Sequence, residues 1–406
     1  MDEQEAITKA QALLNRPGDA NVSPLAVYRH AAKADSVQQR RPNVVLIMME
    51  SMSAKFMKHF GQSETLTPFL DSLYTRSISF RNFYSAGIHT NHGLYATLYS
   101  FPAMMKRNLM KGSVIPRYSG LPTVLKENGY YNLFFMTHEG QYDNMNAFFR
   151  TNGYDEVFSQ EDYPVDKVVN SFGVQDDFLY DYAIPVLNQR AATGQPFFAT
   201  LLSISNHPPY VIPPFFHPKT SEPEMQIVEY ADWALRQFFE EARKQPWFDN
   251  TIFVLEGDHG KLVGDAECEL PESYNHIPLM IYSSRIQPEE KTAFGGQVDI
   301  QPTILGLLNI DYLQNNFGVD LLKEERPCMF YTADNMVVGR NDTLLYLYNY
   351  ETQQELTYDI GNGKLNAVPM DDSFFPLKEY SFSMLQSAEF LVKHGKTLNS
   401  IPFTQQ

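Results

Sequence analysis

Cysteine is scarce in this chain: Cys268 and Cys328 are the only two in 406 residues, too few for a disulfide scaffold and not spaced like a zinc knot. One bridge and two separate thiols both fit the sequence, so cysteine usage leaves the redox compartment open. Basic residues are also in deficit, 32 Lys and Arg against 48 Asp and Glu, for a formal net charge of −16. That balance argues against a nucleic-acid partner, which needs a basic stripe to release phosphate counterions. It argues equally against broad adhesion to anionic lipid. No run approaches the roughly 20 apolar residues that cross a bilayer, and residues 1–41 are polar, without the apolar core of a signal peptide. The chain as given is therefore expected to be soluble. Internal repeats and low-complexity tracts are missing too, which sets aside solenoids and disordered spacers.

What remains is ordinary folding material, 43% hydrophobic and 20% charged. The length suffices for one large α/β domain with an appendage, or for two domains. Two apolar runs stand out because each ends in metal-ligand residue types: Val44-Val-Leu-Ile-Met-Met-Glu50 and Thr251-Ile-Phe-Val-Leu-Glu-Gly-Asp-His-Gly260. A strand buried on both faces reads as a continuous Val/Ile/Leu run, and α/β sheets gather ligands at the carboxyl ends of such strands. Glu50, Asp258 and His259 are thus expected at one rim, where carboxylates and an imidazole suit Mn²⁺, Mg²⁺ or Zn²⁺. Between the two runs, Ser85-Ala-Gly-Ile-His-Thr-Asn-His-Gly93 offers a hydroxyl nucleophile in Thr90 just ahead of a helix-compatible run. A plainer role for Thr90 is the N-cap of that helix, and the two roles are compatible.

From Asn43 onward strand-like and helix-like segments alternate, which favours βαβ units and a largely parallel sheet. Strands are expected at 43–49, 78–84, 131–137, 197–204, 251–256 and 277–283. Helices are expected at 67–76, 91–100, 121–128, 143–152, 176–190, 224–245 and 300–308. Ahead of these, residues 1–15 favour helix, Arg16-Pro-Gly-Asp-Ala20 breaks it, and Pro24-Leu-Ala-Val-Tyr-Arg-His30 suggests a second short helix before basic Gln39-Arg-Arg41. After about residue 320 come short alternating runs, Cys328-Met-Phe-Tyr-Thr332, Thr343-Leu-Leu-Tyr-Leu-Tyr-Asn349 and Gln354-Glu-Leu-Thr-Tyr-Asp359, with a turn signal at Arg340-Asn-Asp342. They suggest a small antiparallel sheet, closed by a helix near 378–394. The expected organisation is a helical lead-in arm over 1–41, a catalytic domain over 42–320, and a small β subdomain with terminal helix over 321–406.

These motifs resemble the lipoteichoic acid synthase-type phosphoglycerol transferases, a metal-dependent, threonine-nucleophile branch of the alkaline phosphatase and sulfatase superfamily. The resemblance rests on Pro42-Asn-Val-Val-Leu-Ile-Met-Met-Glu-Ser51, the Thr90 loop, Ser203-Ile-Ser-Asn-His-Pro-Pro-Tyr210, Glu256-Gly-Asp-His-Gly260, His276-Ile-Pro-Leu279 and Val298-Asp-Ile-Gln-Pro-Thr-Ile-Leu305, in the family's order over about residues 42–310. It implies an alkaline phosphatase/sulfatase-like α/β fold, with a mostly parallel central sheet flanked by helices. It also implies one divalent metal ion, Mn²⁺ first, held by Glu50, Thr90, Asp258 and His259. Coordination would lower the Thr90 hydroxyl pKa and aim it at phosphorus. His207 falls where the family places a substrate-binding histidine, which could bind the phosphate or protonate a leaving alkoxide. It could also simply cap the Pro-Pro turn. His89, His92, His138, Tyr142, Asn144 and His276 are further candidates for substrate contact.

The resemblance implies transfer of a phosphoglycerol-type group from a phospholipid head group to a polyol or glycan acceptor through a phospho-threonine. It implies, too, a place at the extracytoplasmic face of the bacterial cell membrane, held there by segments outside this chain. Two departures bear on this. Thr90-Asn-His-Gly93 lacks the Cys/Ser-x-Pro-Ser-Arg setting of sulfatases. The family's Trp-Asn-Arg segment reads Gly140-Gln-Tyr-Asp-Asn-Met-Asn146 here, with Met145 where the arginine would stand, so a bidentate phosphate donor is lost. Phosphoethanolamine transfer, phosphodiester hydrolysis and sulfate-ester hydrolysis remain alternatives, as does a non-catalytic envelope-sensing domain.

Overall fold

Alternate residues of the apolar strand Asn43–Met49 enter two different cores, Val44, Leu46 and Met48 on one side and Val45, Ile47 and Met49 on the other. Both faces of the sheet are therefore covered, which is why the strand reads as one unbroken apolar run. The computed structural model describes residues 1–16, 23, 25–32, 34, 41–112 and 114–399. Its first half runs α1 (Glu3–Leu14), β1 (Tyr28–Ala31), β2 (Asn43–Met49), α2 (Pro68–Tyr74), β3 (Ile78–Tyr84), α3 (Thr90–Tyr99), α4 (Leu121–Glu127), β4 (Tyr131–Met136), α5 (Met145–Thr151), β5 (Glu156–Phe158), α6 (Asp176–Ala191) and β6 (Phe197–Leu202). The second half runs α7 (Pro223–Ala242), β7 (Thr251–Gly257), β8 (Leu279–Tyr282), β9 (Glu289–Gly296), α8 (Ile300–Leu307), β10 (Tyr312–Asn315), β11 (Met329–Thr332), β12 (Met336–Arg340), β13 (Leu344–Asn349), β14 (Gln354–Asp359), β15 (Asn366–Ala367) and α9 (Phe375–Lys393).

Eight strands form the central sheet in the order β5-β4-β6-β2-β7-β8-β3-β9, and only β8 runs antiparallel to its neighbours. Helices α3, α4, α5 and α8 bury their apolar residues on one face, and α2, α6 and α7 on the other. This is the expected α/β architecture, with β2 and β7 at its centre. Strands β11 to β15 make a separate antiparallel sheet, and α9 packs on it through Leu377, Tyr380 and Met384.

Six strands were not expected, Tyr28–Ala31 and the two-residue Asn366–Ala367 among them. Glu289–Gly296 begins with charged, exposed residues at a sheet edge, Glu156–Phe158 is only three residues long, and Tyr312–Asn315 and Met336–Arg340 are short. None gives a run long or apolar enough to register. The helix expected over Pro24–His30 is a correction: Tyr28–Ala31 is a strand, antiparallel to Tyr312–Asn315. Pairing with a distant strand overrides local helical preference there. Of the helix-breaking stretch and the basic stretch beside it, residues 17–20 and 39–40 lie outside the described residues. Helix α1 packs on α9, with Ala6, Ile7, Ala10 and Leu14 inward and ion pairs Lys9–Glu379 and Lys393–Glu3 at the rim. Cys268 and Cys328 are free thiols. Among the described residues no helix is long and apolar enough to cross a membrane.

The turn before α8 is held by a buried ion pair. Asp299 accepts from the Gly296 and Val319 N–H groups at 2.9 and 2.8 Å and from Arg326 Nε at 2.9 Å. Arg326 in turn donates to Phe317 O and to the Tyr380 hydroxyl on α9, both at 2.6 Å. Removing one member strands the other charge without solvent. Asp299→Ala is expected to cost about 3–5 kcal/mol in urea unfolding, and a loss below about 1 kcal/mol would show that the pair is not holding this turn.

Candidate metal centre and nucleophile

The parallel register of β2 and β7 sets Met49 opposite Gly257, so the next residues, Glu50 and Asp258, leave the sheet side by side. The Asp258 N–H donates to Met49 O at 3.0 Å, carrying the pairing one step beyond the strands. Ser51 then turns the chain with φ +50°, a strained value for a non-glycine residue of the kind that clusters at functional sites. Its N–H and that of His259 donate to Asp258 Oδ1 at 2.8 and 2.7 Å. Its hydroxyl donates to Glu50 Oε1 at 2.6 Å.

His259 completes the cluster. Its Nδ1 lies 2.7 Å from Gly260 O, and because a carbonyl only accepts, Nδ1 carries a proton, which in the neutral ring places the lone pair on Nε2. That Nε2 sits 3.7 Å from Asp258 Oδ2 and 3.9 Å from Glu50 Oε1. Donor atoms of all three residues lie within 4.8 Å of one another. Asp258 Oδ2 is buried and has no hydrogen-bond partner among the described residues. An orphaned carboxylate oxygen, a second buried carboxylate and an unprotonated imidazole nitrogen converging on one point fit a divalent cation, and the thiolate-free donor set suits Mn²⁺, Mg²⁺ or Zn²⁺ alike.

Thr90 Oγ1 donates to Glu50 Oε2 at 3.3 Å, at the edge of this cluster. It is the first residue of α3, and the N-cap position belongs to His89 rather than to Thr90. Helix α3 approaches the cluster closely: a Cβ on Gly93 would lie 2.2 Å from Asp258 O, so only glycine fits there. Gln297 ties the same loops together, donating to Asp258 O at 2.7 Å and accepting from the Ala86 N–H at 2.9 Å.

The other expected residues scatter around this centre. His207 keeps Nδ1 on Pro208 O at 2.7 Å, which leaves Nε2 free of that bond, and its ring packs tilted against Phe172, centroids 4.0 Å apart. His138 packs tilted against the exposed Tyr142, centroids 4.6 Å apart, and Tyr142 meets Phe172 edge-on at 6.3 Å. His138, Tyr142, Phe172 and His207 thus form one aromatic row across the ends of β4 and β6. Partial burial of the phenol raises the Tyr142 pKa, and the charges of Asp143 and Glu50 add to it. Asn144, held with Asp143 in left-handed conformation, spends its side chain on Met110 O at 3.2 Å. Asp143 accepts from Asn91 at 3.4 Å, which ties this turn to the start of α3. His89 pairs with Asp334 at 2.6 Å. His92 is fully buried, and burial with its neighbours His89 and His259 pushes it down to about 3. The ring of His276 is taken by Arg81 O at 2.8 Å and by Tyr84, neither of which belongs to the cluster. Met145 is wholly inside the core and offers nothing to a phosphate.

Several residues at the centre escaped sequence reasoning. Ser203 receives the Glu50 N–H at 3.0 Å, and Asn206 donates to Ser51 O at 3.1 Å. Lys261 donates to Asn206 Oδ1 at 2.6 Å and to the Tyr210 hydroxyl at 3.1 Å. Burial lowers its ammonium to about 8, against the fields of Glu224 and Glu50. Ser203, Asn206 and Tyr210 lay inside a quoted motif, and Lys261 one residue beyond another, but single polar residues in loops carry no periodic signal.

The family model described as Sulfatase matches residues 42–310. Lipoteichoic acid synthase 2 of Bacillus subtilis is 24% identical over 70% of this chain and 47% of its own length. Lipoteichoic acid synthase 1 of the same organism is 25% identical over 79% of this chain and 53% of its own. The chain therefore spans about half the length of the curated relatives it matches. Among solved structures, a protein in the alkaline phosphatase superfamily from Vibrio parahaemolyticus superposes with TM-score 0.86 at 26% identity, covering 97% of each chain. The lipoteichoic acid synthase LtaP from Listeria monocytogenes does so with TM-score 0.76 at 20% identity, covering 96% of this chain and 98% of that one.

Burial and the adjacent Asp258 hold the Glu50 carboxyl well above the usual carboxylate range. A cation must displace that proton, so Mn²⁺ affinity is expected to weaken as pH falls through the titration of Glu50. A carboxyl with a raised folded pKa favours the metal-free fold at low pH and loses that contribution as pH rises through the folded value. Glu50→Gln is expected to weaken Mn²⁺ binding by about 100-fold or more in calorimetric titration. Above the Glu50 titration it should also raise the melting point of the metal-free protein. A variant that binds Mn²⁺ like the parent removes Glu50 from the ligand set.

Proposed function

Because the chain belongs to the sulfatase family, and so is an enzyme of the alkaline phosphatase superfamily, we propose that it is a metal-dependent phosphotransferase that moves a phosphoglycerol-type group from a phospholipid to a cell-envelope acceptor through a phospho-threonine. The observation that carries this reading is the placement of Thr90 Oγ1, 3.3 Å from Glu50 Oε2, at the first turn of a buried helix beside Asp258 and His259. Glu50, Asp258, His259 and the Thr90 oxygen would hold the cation. Bound there, it would lower the pKa of the Thr90 hydroxyl and offset charge on the phosphorus oxygens.

The chain's own residues supply the rest. Thr90 Oγ1 forms a bond to phosphorus, and the bond from phosphorus to the diacylglycerol oxygen breaks. The Thr90 proton ends on that oxygen, with His207 Nε2 as the carrier. The first turn of α3 brings backbone N–H groups and a positive dipole end to the phosphate. In the second half an acceptor hydroxyl, from a polyol or glycan, attacks the phosphorus, the bond from phosphorus to Thr90 Oγ1 breaks, and the acceptor's proton returns to that oxygen. A side-chain nucleophile makes this a ping-pong reaction. The aromatic row from His138 to His207 borders the centre as a wall for the transferred group. Support for donor and acceptor comes from the similarity to lipoteichoic acid synthases, and those relatives also motivate a place at the extracytoplasmic face of a bacterial membrane, through segments outside this chain.

One observation favours a second reading. The buried Met145 leaves the site without the expected guanidinium, which suits a transferred group other than phosphoglycerol, or water as the acceptor. Intact mass spectrometry after incubation with Mn²⁺ and phosphatidylglycerol or phosphatidylethanolamine separates these readings. A Thr90-dependent adduct is expected, absent in Thr90→Ala, and its mass names the group. Lipid turnover that persists unchanged in Thr90→Ala would sink the covalent mechanism.

A further inference from the structure

Lys261 is a half-buried ammonium whose two hydrogen-bond partners, Asn206 Oδ1 and the Tyr210 hydroxyl, are both uncharged. Two aromatic faces complete its surroundings, Tyr210 at 4.8 Å and Phe56 at 5.4 Å. No carboxylate of the described residues pairs with it. The contrast with other lysines on the site-forming segments is direct: Lys55 pairs with Glu267 at 2.9 Å and Lys111 with Asp143 at 2.7 Å. A cation withdrawn from water with no ion-pair partner, reached only by the more distant fields of Glu224 and Glu50, is costly unless an anion arrives with a ligand. The position of Lys261 says where that ligand would be. Asn206, which holds its Nζ, also donates to Ser51 O, and Ser51 donates to Glu50 Oε1, so two residues, Asn206 and Ser51, link the ammonium to the metal cluster. Asn206 is also the residue just before His207. Lys261 thus stands where the loop after β7 meets the loop after β6, in a chain whose net charge is −16.

We propose that Lys261 is a substrate-binding residue whose ammonium pairs with a phosphoryl oxyanion at the Thr90 centre, the role that Met145 cannot fill. This rests on reading the centre as a phosphotransferase site. Two donors of the ammonium are committed to Asn206 and Tyr210, which aim the third. A point charge fixed in this way discriminates for anionic phosphorus esters without demanding the planar bidentate geometry of a guanidinium. The anion could come from a lipid head group or from a free phosphate ester, and the two are separable.

The Mn²⁺-loaded protein is titrated calorimetrically with glycerol 1-phosphate and, separately, assayed on phosphatidylglycerol vesicles, for the parent, Lys261→Met, Lys261→Gln and Lys261→Arg. Both neutral variants are expected to bind glycerol phosphate about tenfold more weakly or worse, with Mn²⁺ affinity unchanged as the check on fold. KM on vesicles should rise by a similar factor, more than kcat falls, and Lys261→Arg should restore most of the affinity. If the neutral variants bind glycerol phosphate like the parent, Lys261 is not the anchor and the phosphotransferase reading stands. A loss confined to vesicles also overturns the proposal, because the lysine would then be reading the lipid surface. If the parent itself binds neither phosphate ester, the reading of the whole centre falls with it.

Discussion

The pairing of β2 with β7 is the constraint on which the centre depends. Because the two strands are parallel neighbours with Met49 opposite Gly257, the residues that follow are carried out of the sheet together. A slip of one residue would turn Asp258 to the other face of the sheet and leave Glu50 beside a glycine. The register is secured by burial on both faces, since every residue from Asn43 to Met49 and from Thr251 to Gly257 is buried. Elements at a distance depend on the same alignment. Gly93 is small so that α3 can lie against Asp258 O, and Gln297 reaches the carbonyls of Gly257 and Asp258 from the turn that Asp299 and Arg326 hold.

The local charge arrangement follows from that geometry. Three acids, Glu50, Glu256 and Asp258, are buried at the carboxyl ends of the neighbouring strands β2 and β7. Glu256 accepts from the Thr97 hydroxyl at 2.6 Å beneath α3, and its burial raises its pKa well above the ordinary value. Glu50 and Asp258 face the open side with His259 Nε2 and the Thr90 hydroxyl. Two carboxylates left together in low dielectric repel each other, and a dication removes that repulsion. Among the described residues Lys261 adds to this rim an ammonium that no carboxylate pairs with, which gives an anion a reason to enter from that side.

Much of this was legible because the two central strands are buried on both faces and end abruptly in charged residues. Glu50, Asp258 and His259 could be read as a group from that pattern alone, and Thr90 from its place ahead of an apolar helix. The apolar runs over 43–49 and 251–256 and the helix expected at 224–245 reappear with shifts of a few residues at most. Less was legible where tertiary pairing decides. Leu25-Ala26-Val27 looked helical, but the following residues pair with Tyr312–Asn315. Phe172, Asn206 and Lys261 sit in loops whose fold brings them to the site, and nothing in their spacing announces it. Asn144 lay in the right segment, yet its backbone turn sends its amide to Met110 O.

The most direct test of the account is anomalous diffraction from crystals of the protein soaked in Mn²⁺. One strong peak bonded to Glu50, Asp258 Oδ2 and His259 Nε2, with Thr90 Oγ1 in its coordination sphere, is the expected result. A peak elsewhere, or a cation in the cluster with Thr90 turned away from it, would contradict the claim that the register of β2 and β7 builds a centre for activating that hydroxyl.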